Sequence, residues 1–145
     1  MTSSTYEPNR IARACGMTPV SLRAYHGFGL KSEGPVTGEG VAKRRHYTQT
    51  DAVAAAVMHR LIQRGVSRQH AAGIANDSRR YFAGRFWLAV FPGMALGWHG
   101  SNTPLDLAKL LTGRCPDGTM PTEIIVLAVH EIAAALFQKL DEPAE

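Results

Sequence analysis

The sequence predicts an α+β protein in two parts: a mostly helical N-terminal region, then a small β-β-α-β-α unit. Three observations predict it. Helix start and stop signals recur from Asn9 to Asn76, whereas aromatic and β-branched runs bounded by turn residues begin only after Arg85. The charge also changes sign, from +8 over residues 1–85 to −4 over residues 86–145, within a net +4 for the 145-residue chain. A basic half joined to an acidic one points to a polyanion-binding module with a separate partner surface.

Taken in order, residues 1–8 are polar and aperiodic and are expected to form a loose leader. Asn9–Cys15 places Ile11 and Cys15 four residues apart, and Gly16 follows as a C-terminal stop. Thr18-Pro19 combines a capping hydroxyl with a proline at the first helical position, where no N–H is needed. That second helix is expected to run through Leu22 and Tyr25 to about His26. The glycine-rich stretch 31–42 predicts an extended loop or hairpin, which empties into Lys43-Arg44-Arg45-His46-Tyr47. Three consecutive cations and an aromatic on a hairpin suit phosphate contact. Thr48-Gln49-Thr50-Asp51 is a capping box that opens a helix to Arg64. Ser67 caps another, to about Asn76.

Beyond a linker at 79–85, Phe86–Phe91 predicts a strand, with Met94–Trp98 as its hairpin partner and Gly100–Asn102 as a loop. Thr103-Pro104 predicts a helix to about Thr112, and residues 113–122 a turn-rich connection. Glu123–Val129 predicts a buried strand, and His130–Leu140 a closing helix. The expected domains are therefore 9–78 and 86–141. No heptad pattern runs long enough for a coiled coil.

Length excludes a two-lobed doubly wound enzyme or an (αβ) barrel, which needs about 250 residues. The apolar runs fall far short of the roughly 18 residues of a membrane span, and no secretory signal opens the chain, so a cytoplasmic protein is expected. Cys15 and Cys115 have no ligand spacing and read as free thiols. His99 and His130 lack ligand partners, and no phosphate loop, nucleophile elbow or HExxH is present. No enzyme activity, cofactor or metal is expected. Trp87 and Trp98 either line an effector pocket or pack in a core or interface.

The order of the N-terminal pieces resembles the MerR family of winged-helix transcription regulators, over about Arg10 to Ala75. The resemblance rests on Ile11–Gly16, Met17–Tyr25, Phe28-Gly29-Leu30, Arg45-His46-Tyr47-Thr48, Asp51-Ala52-Val53 and Leu61–Ser67. It implies a recognition helix, Pro19–His26, in the major groove of double-stranded DNA, with the hairpin as a wing on the backbone. The DNA-contacting residues it implies are Thr18, Ser21, Arg23, Tyr25, His26, Lys43, Arg44, Arg45 and Tyr47. Tyr25 and Arg23 each have a structural alternative, the one in the core and the other bracing the wing. Val20 and Ala24 depart from the family, which often places an arginine and an aromatic there, so base readout should be thin and binding strongly salt-dependent. The family's long coiled-coil helix is also missing, so residues 86–141 are expected to supply self-association, an effector site or a partner-protein surface. Two other roles stay open at this stage: a packaging or recombination accessory, and a protein adaptor without DNA binding.

Overall fold

A computed structural model of the chain describes residues 5–91, 97–105 and 123–141. Helix α1 spans Pro8–Cys15 and α2 spans Pro19–Gly27. Gly16 closes α1 in a left-handed conformation (φ 76°), and the Thr18 hydroxyl caps α2 by accepting the Ser21 N–H at 3.1 Å. A two-stranded hairpin follows, β1 (Val36–Thr37) paired antiparallel with β2 (Arg44–Arg45), with a helical turn at Gly40–Ala42 between them. Helix α3 spans Gln49–Gln63 and α4 spans Arg68–Ser78. The second half holds β3 (Trp87–Val90), β4 (Trp98–Ser101), β5 (Ile125–Ala128) and a last helix, α5 (Val129–Leu140). Their antiparallel sheet has the order β4-β3-β5.

Helix α3 is the axle of the fold. Alanines 52, 54, 55 and 56 alternate with Val53, Val57, Met58 and Leu61, and all are buried. A helix covered on every side needs small residues where neighbours come close. On one side it packs against α4, and on another against α5, which also packs against α1.

That last contact joins the two expected domains among the described residues: Leu136 and Leu140 of α5 and Phe86, Leu88 and Val90 belong to the same buried cluster as Ile11, Leu22 and Val57. The ring of Phe137 lies 6.4 Å from that of Tyr6, and the Arg10 guanidinium donates to the Leu140 carbonyl. The expected linker at 79–85 is also structured. Arg79 and Phe82 are buried, and Tyr81 stacks on Phe86 at 5.3 Å. Nor is the end of the leader loose, because Tyr6 is buried and exchanges two 2.8 Å backbone hydrogen bonds with Tyr47.

Most of the expected hairpin partner Met94–Trp98 lies outside the described residues. The partner of β3 is Trp98–Ser101, so Gly100 and Ser101 lie in a strand and not in a loop. Gly97 makes the bend at φ 73°. Gly100 is needed inside the strand because a Cβ there would stand 2.5 Å from the Phe86 ring. The expected helix from Thr103 to Thr112, the connection at 113–122 and Cys115 fall largely or wholly outside the described residues. Glu123–Val129 yields the shorter β5, and α5 starts at once, with the Val129 N–H bonded to the Phe86 carbonyl at 2.9 Å.

A shared core has a direct consequence. Both tryptophans lie in the second half, whereas most helix lies in the first. Thermal unfolding followed by tryptophan fluorescence and by far-ultraviolet circular dichroism should therefore coincide. Leu140→Ala should cost about 2–5 kcal/mol and shift both transitions together. Two separate transitions would mean that the halves fold independently.

Candidate nucleic-acid interface

Helix α2 buries Leu22 and Tyr25 and turns Val20, Arg23, Ala24 and Gly27 outward. The hairpin stands beside it. Between them runs a groove of about 350 Å³ lined on the helix side by Pro19, Arg23 and His26 and on the hairpin side by Lys43, Arg44 and Arg45. Arg23, Lys43 and Arg44 are exposed and Arg45 is half-buried. Thr18 is exposed at the start of α2, and its hydroxyl donates to Ser21 Oγ at 3.0 Å. The expected contact residues Thr18, Ser21, Arg23, Lys43, Arg44 and Arg45 thus belong to one helix start and one hairpin. Glu7 is an acidic member of the same groove wall, which the sequence pattern did not suggest.

The two tyrosines sit differently. Tyr25 is buried, and its hydroxyl lies 2.6 Å from His59 Nδ1. Tyr47 is buried with its hydroxyl 2.7 Å from His26 Nε2. Burial raises the pKa of Tyr25 and pushes that of Tyr47 up to about 12, so both stay protonated. Their hydroxyls hold histidines in place behind the exposed surface.

His26 links the helix to the hairpin. Its Nδ1 lies 2.8 Å from the Leu30 carbonyl and 3.0 Å from Arg45 Nη1. A guanidinium only donates, so the Arg45 bond needs an unprotonated Nδ1, whereas the Leu30 bond needs a protonated one. The two tautomers of the ring therefore choose between partners, with Tyr47 donating to or accepting from Nε2 accordingly. Burial, helped by the Arg45 charge, lowers the His26 pKa; burial also lowers that of His59.

The hairpin is anchored by a carboxylate that sequence reasoning assigned only to a cap. Asp51 accepts the Thr48 N–H at 3.0 Å while Thr48 Oγ1 accepts the Asp51 N–H at 3.1 Å, completing the capping box. The same carboxylate also accepts the N–H groups of Glu33 and Gly34, both at 2.9 Å. Arg79 Nη1 donates to it at 2.6 Å, and Arg79 also donates to the Lys31 carbonyl. Burial would raise the Asp51 pKa, but the Glu33 and Thr48 amides and the Arg79 guanidinium outweigh it and hold the carboxyl below its ordinary value. Gly34 is required at the hairpin base, since a Cβ there would fall 1.8 Å from the His46 carbonyl oxygen. Asn76 adds a clasp from α4, donating to the Gly29 carbonyl at 2.8 Å and accepting the Lys31 N–H at 2.9 Å.

Trp87 and Trp98 do not share a pocket wall. Trp98 pairs opposite Val90, three residues along β3 from Trp87, so the two side chains leave opposite faces of the sheet. Trp87 packs edge-on to His130 at 4.6 Å and under the Arg85 guanidinium at 5.2 Å. Trp98 packs against the core. Burial pushes the Cys15 thiol up to about 12 and so keeps it protonated. Among the described residues, no three His, Cys, Asp or Glu side chains cluster as a metal site would require, and no helix is long and apolar enough to cross a membrane.

Two perturbations test this frame. Asp51→Ala strands the buried Arg79 charge and should cost about 3–5 kcal/mol in chemical denaturation. Glu33→Gln should change stability by less than about 1 kcal/mol, because its carboxylate is 65% exposed and 3.9 Å from Arg79. The second perturbation is pH. A histidine with a lowered folded pKa stabilises fully above its unfolded value of about 6.5 and progressively less as pH falls toward the folded value. The melting temperature should therefore drop between pH 7.5 and 5, and His26→Gln should flatten that slope. An unchanged slope would remove His26 from the titration. Asp51 has the same sign in a separate window: its contribution is lost only below about pH 4.

A family model described as MerR HTH family regulatory protein matches residues 6–78. No curated protein matches the chain.

Proposed function

The chain belongs to the MerR helix-turn-helix family of regulatory proteins and is thereby a DNA-binding transcriptional regulator; from that premise we propose that it reads specific sites with α2 in the major groove. In this arrangement the hairpin is the wing, and Lys43, Arg44 and Arg45 follow the phosphate backbone. The observation that supports it best is the groove in which Arg23 of α2 faces the three wing cations. In this reading Arg23 reaches a base edge. Thr18 and Ser21, at the first turn of α2, approach phosphate. Tyr25, Tyr47 and His26 act as positioning residues: they fix the helix and the wing relative to each other.

The protein works by binding and not by catalysis in this proposal. Self-association is assigned to the 86–141 half, whose sheet has β4 and β5 as outer strands among the described residues and Val126 of β5 44% exposed. A monomer in light scattering of the full chain would remove that assignment without touching the DNA interface.

Titration of the full-length protein against a selected duplex at several salt concentrations separates the roles. Lys43→Ala and Arg44→Ala should weaken all sequences alike, and each should lower the slope of log affinity against log salt by about 0.9. Arg23→Ala should cost about 1–3 kcal/mol and relax preference at one base pair. If all three substitutions together leave affinity unchanged at moderate salt, this surface does not bind DNA.

A further inference from the structure

Val20 is the second residue of α2 and remains 71% exposed. A β-branched residue is a modest helix former, and this one gains little packing in the free protein. Of the other large exposed apolar side chains among the described residues, Phe28 lies beneath the Arg68 guanidinium at 5.4 Å and Tyr81 stacks on Phe86 at 5.3 Å, while Val36 and Val41 belong to the hairpin and Val126 to β5. Val20 shares its face of α2 with Arg23, Ala24 and Gly27, which lie three, four and seven residues on and are all exposed. The outward stripe is therefore apolar except for one arginine. It is also the face that the preceding proposal lays in the major groove.

We propose that Val20, with Ala24 beside it, reads the C5-methyl group of a pyrimidine in the major groove, which in unmodified DNA is that of thymine. An isopropyl group makes no hydrogen bond, and the thymine methyl is the apolar group that unmodified base edges present there. Three residues of helix rise by about 4.5 Å, a little over one base step, so the thymine lies one or two base pairs from the base contacted by Arg23. Removing both methyls from water is the source of the preference. One buried methyl group is worth roughly a three- to fivefold change in affinity.

The inference rests on the DNA-binding proposal, and the test keeps the two apart. Sites are selected from random duplexes with the full-length protein, and each thymine of the selected site is then replaced singly by deoxyuridine. The wild type should lose about three- to fivefold in affinity at one thymine per bound chain. Val20→Ala should bind the thymine and uracil duplexes equally, whereas Val20→Ile should keep the preference. Alanine is the better helix former, so an unchanged melting temperature certifies that the variant folds. Placing cytosine and then 5-methylcytosine at the same position should raise wild-type affinity on methylation but leave Val20→Ala indifferent. A selected site whose thymines all accept uracil within twofold overturns this inference alone, as does a uracil penalty that persists undiminished in Val20→Ala. Failure to enrich any site overturns the sequence-specific proposal and this inference together.

Discussion

The buried pair of Asp51 and Arg79 is the interaction on which the geometry of the hairpin depends. Taking two charges out of water costs several kcal/mol each, and the cost is offset only where the remaining hydrogen-bonding capacity is filled. On the Asp51 carboxylate it is filled by backbone, whereas the Arg79 Nε–H is buried without a hydrogen-bond partner. The carboxylate holds Glu33 and Gly34 on the chain entering the hairpin and Thr48 on the chain leaving it. Both ends of the wing are thus tied to the first turn of α3. Gly34 permits the closure because it leaves room for the His46 carbonyl.

The wing must also keep its register with α2, and a second polar chain does this. Tyr47, at the end of the wing, bonds His26 near the end of α2, and His26 faces Arg45. Tyr25, on the buried side of α2, bonds His59 of α3. Three elements are therefore joined by aromatic hydroxyls and imidazoles beneath the surface that carries the cations. The division of labour is physical: the charged side chains are exposed, whereas buried hydroxyls hold the spacing between helix and hairpin.

What the sequence made legible is what local chemistry determines. Thr18-Pro19, the Thr48–Asp51 box and Ser67 each cap a helix at or within a residue of the expected start, because a cap is a bargain among near neighbours. The cationic hairpin was legible for the same reason. Asp51 exposes the limit: its role in the box spans three residues, but its bonds to Glu33, Gly34 and Arg79 cross 17 to 28. Arg79 sits in a run of polar residues that resembles a linker, and only its distant partner makes it part of the core. Gly100 misled in the opposite way. A glycine followed by Ser-Asn has loop chemistry, yet the position lies in a strand because an aromatic ring occupies the space of its missing side chain.

The acidic half is therefore not a passenger. Helix α5 covers α3 and α1, and α3 carries Asp51 at its first turn, so the last helix and the wing base are supported by one rigid element. Arg79 adds a second route, since it lies at the point where the chain leaves α4 for the sheet. A partner bound at residues 86–141 would act on a structure that shares its core with α2. For such an event to change DNA affinity it must favour one arrangement of a shared element over another.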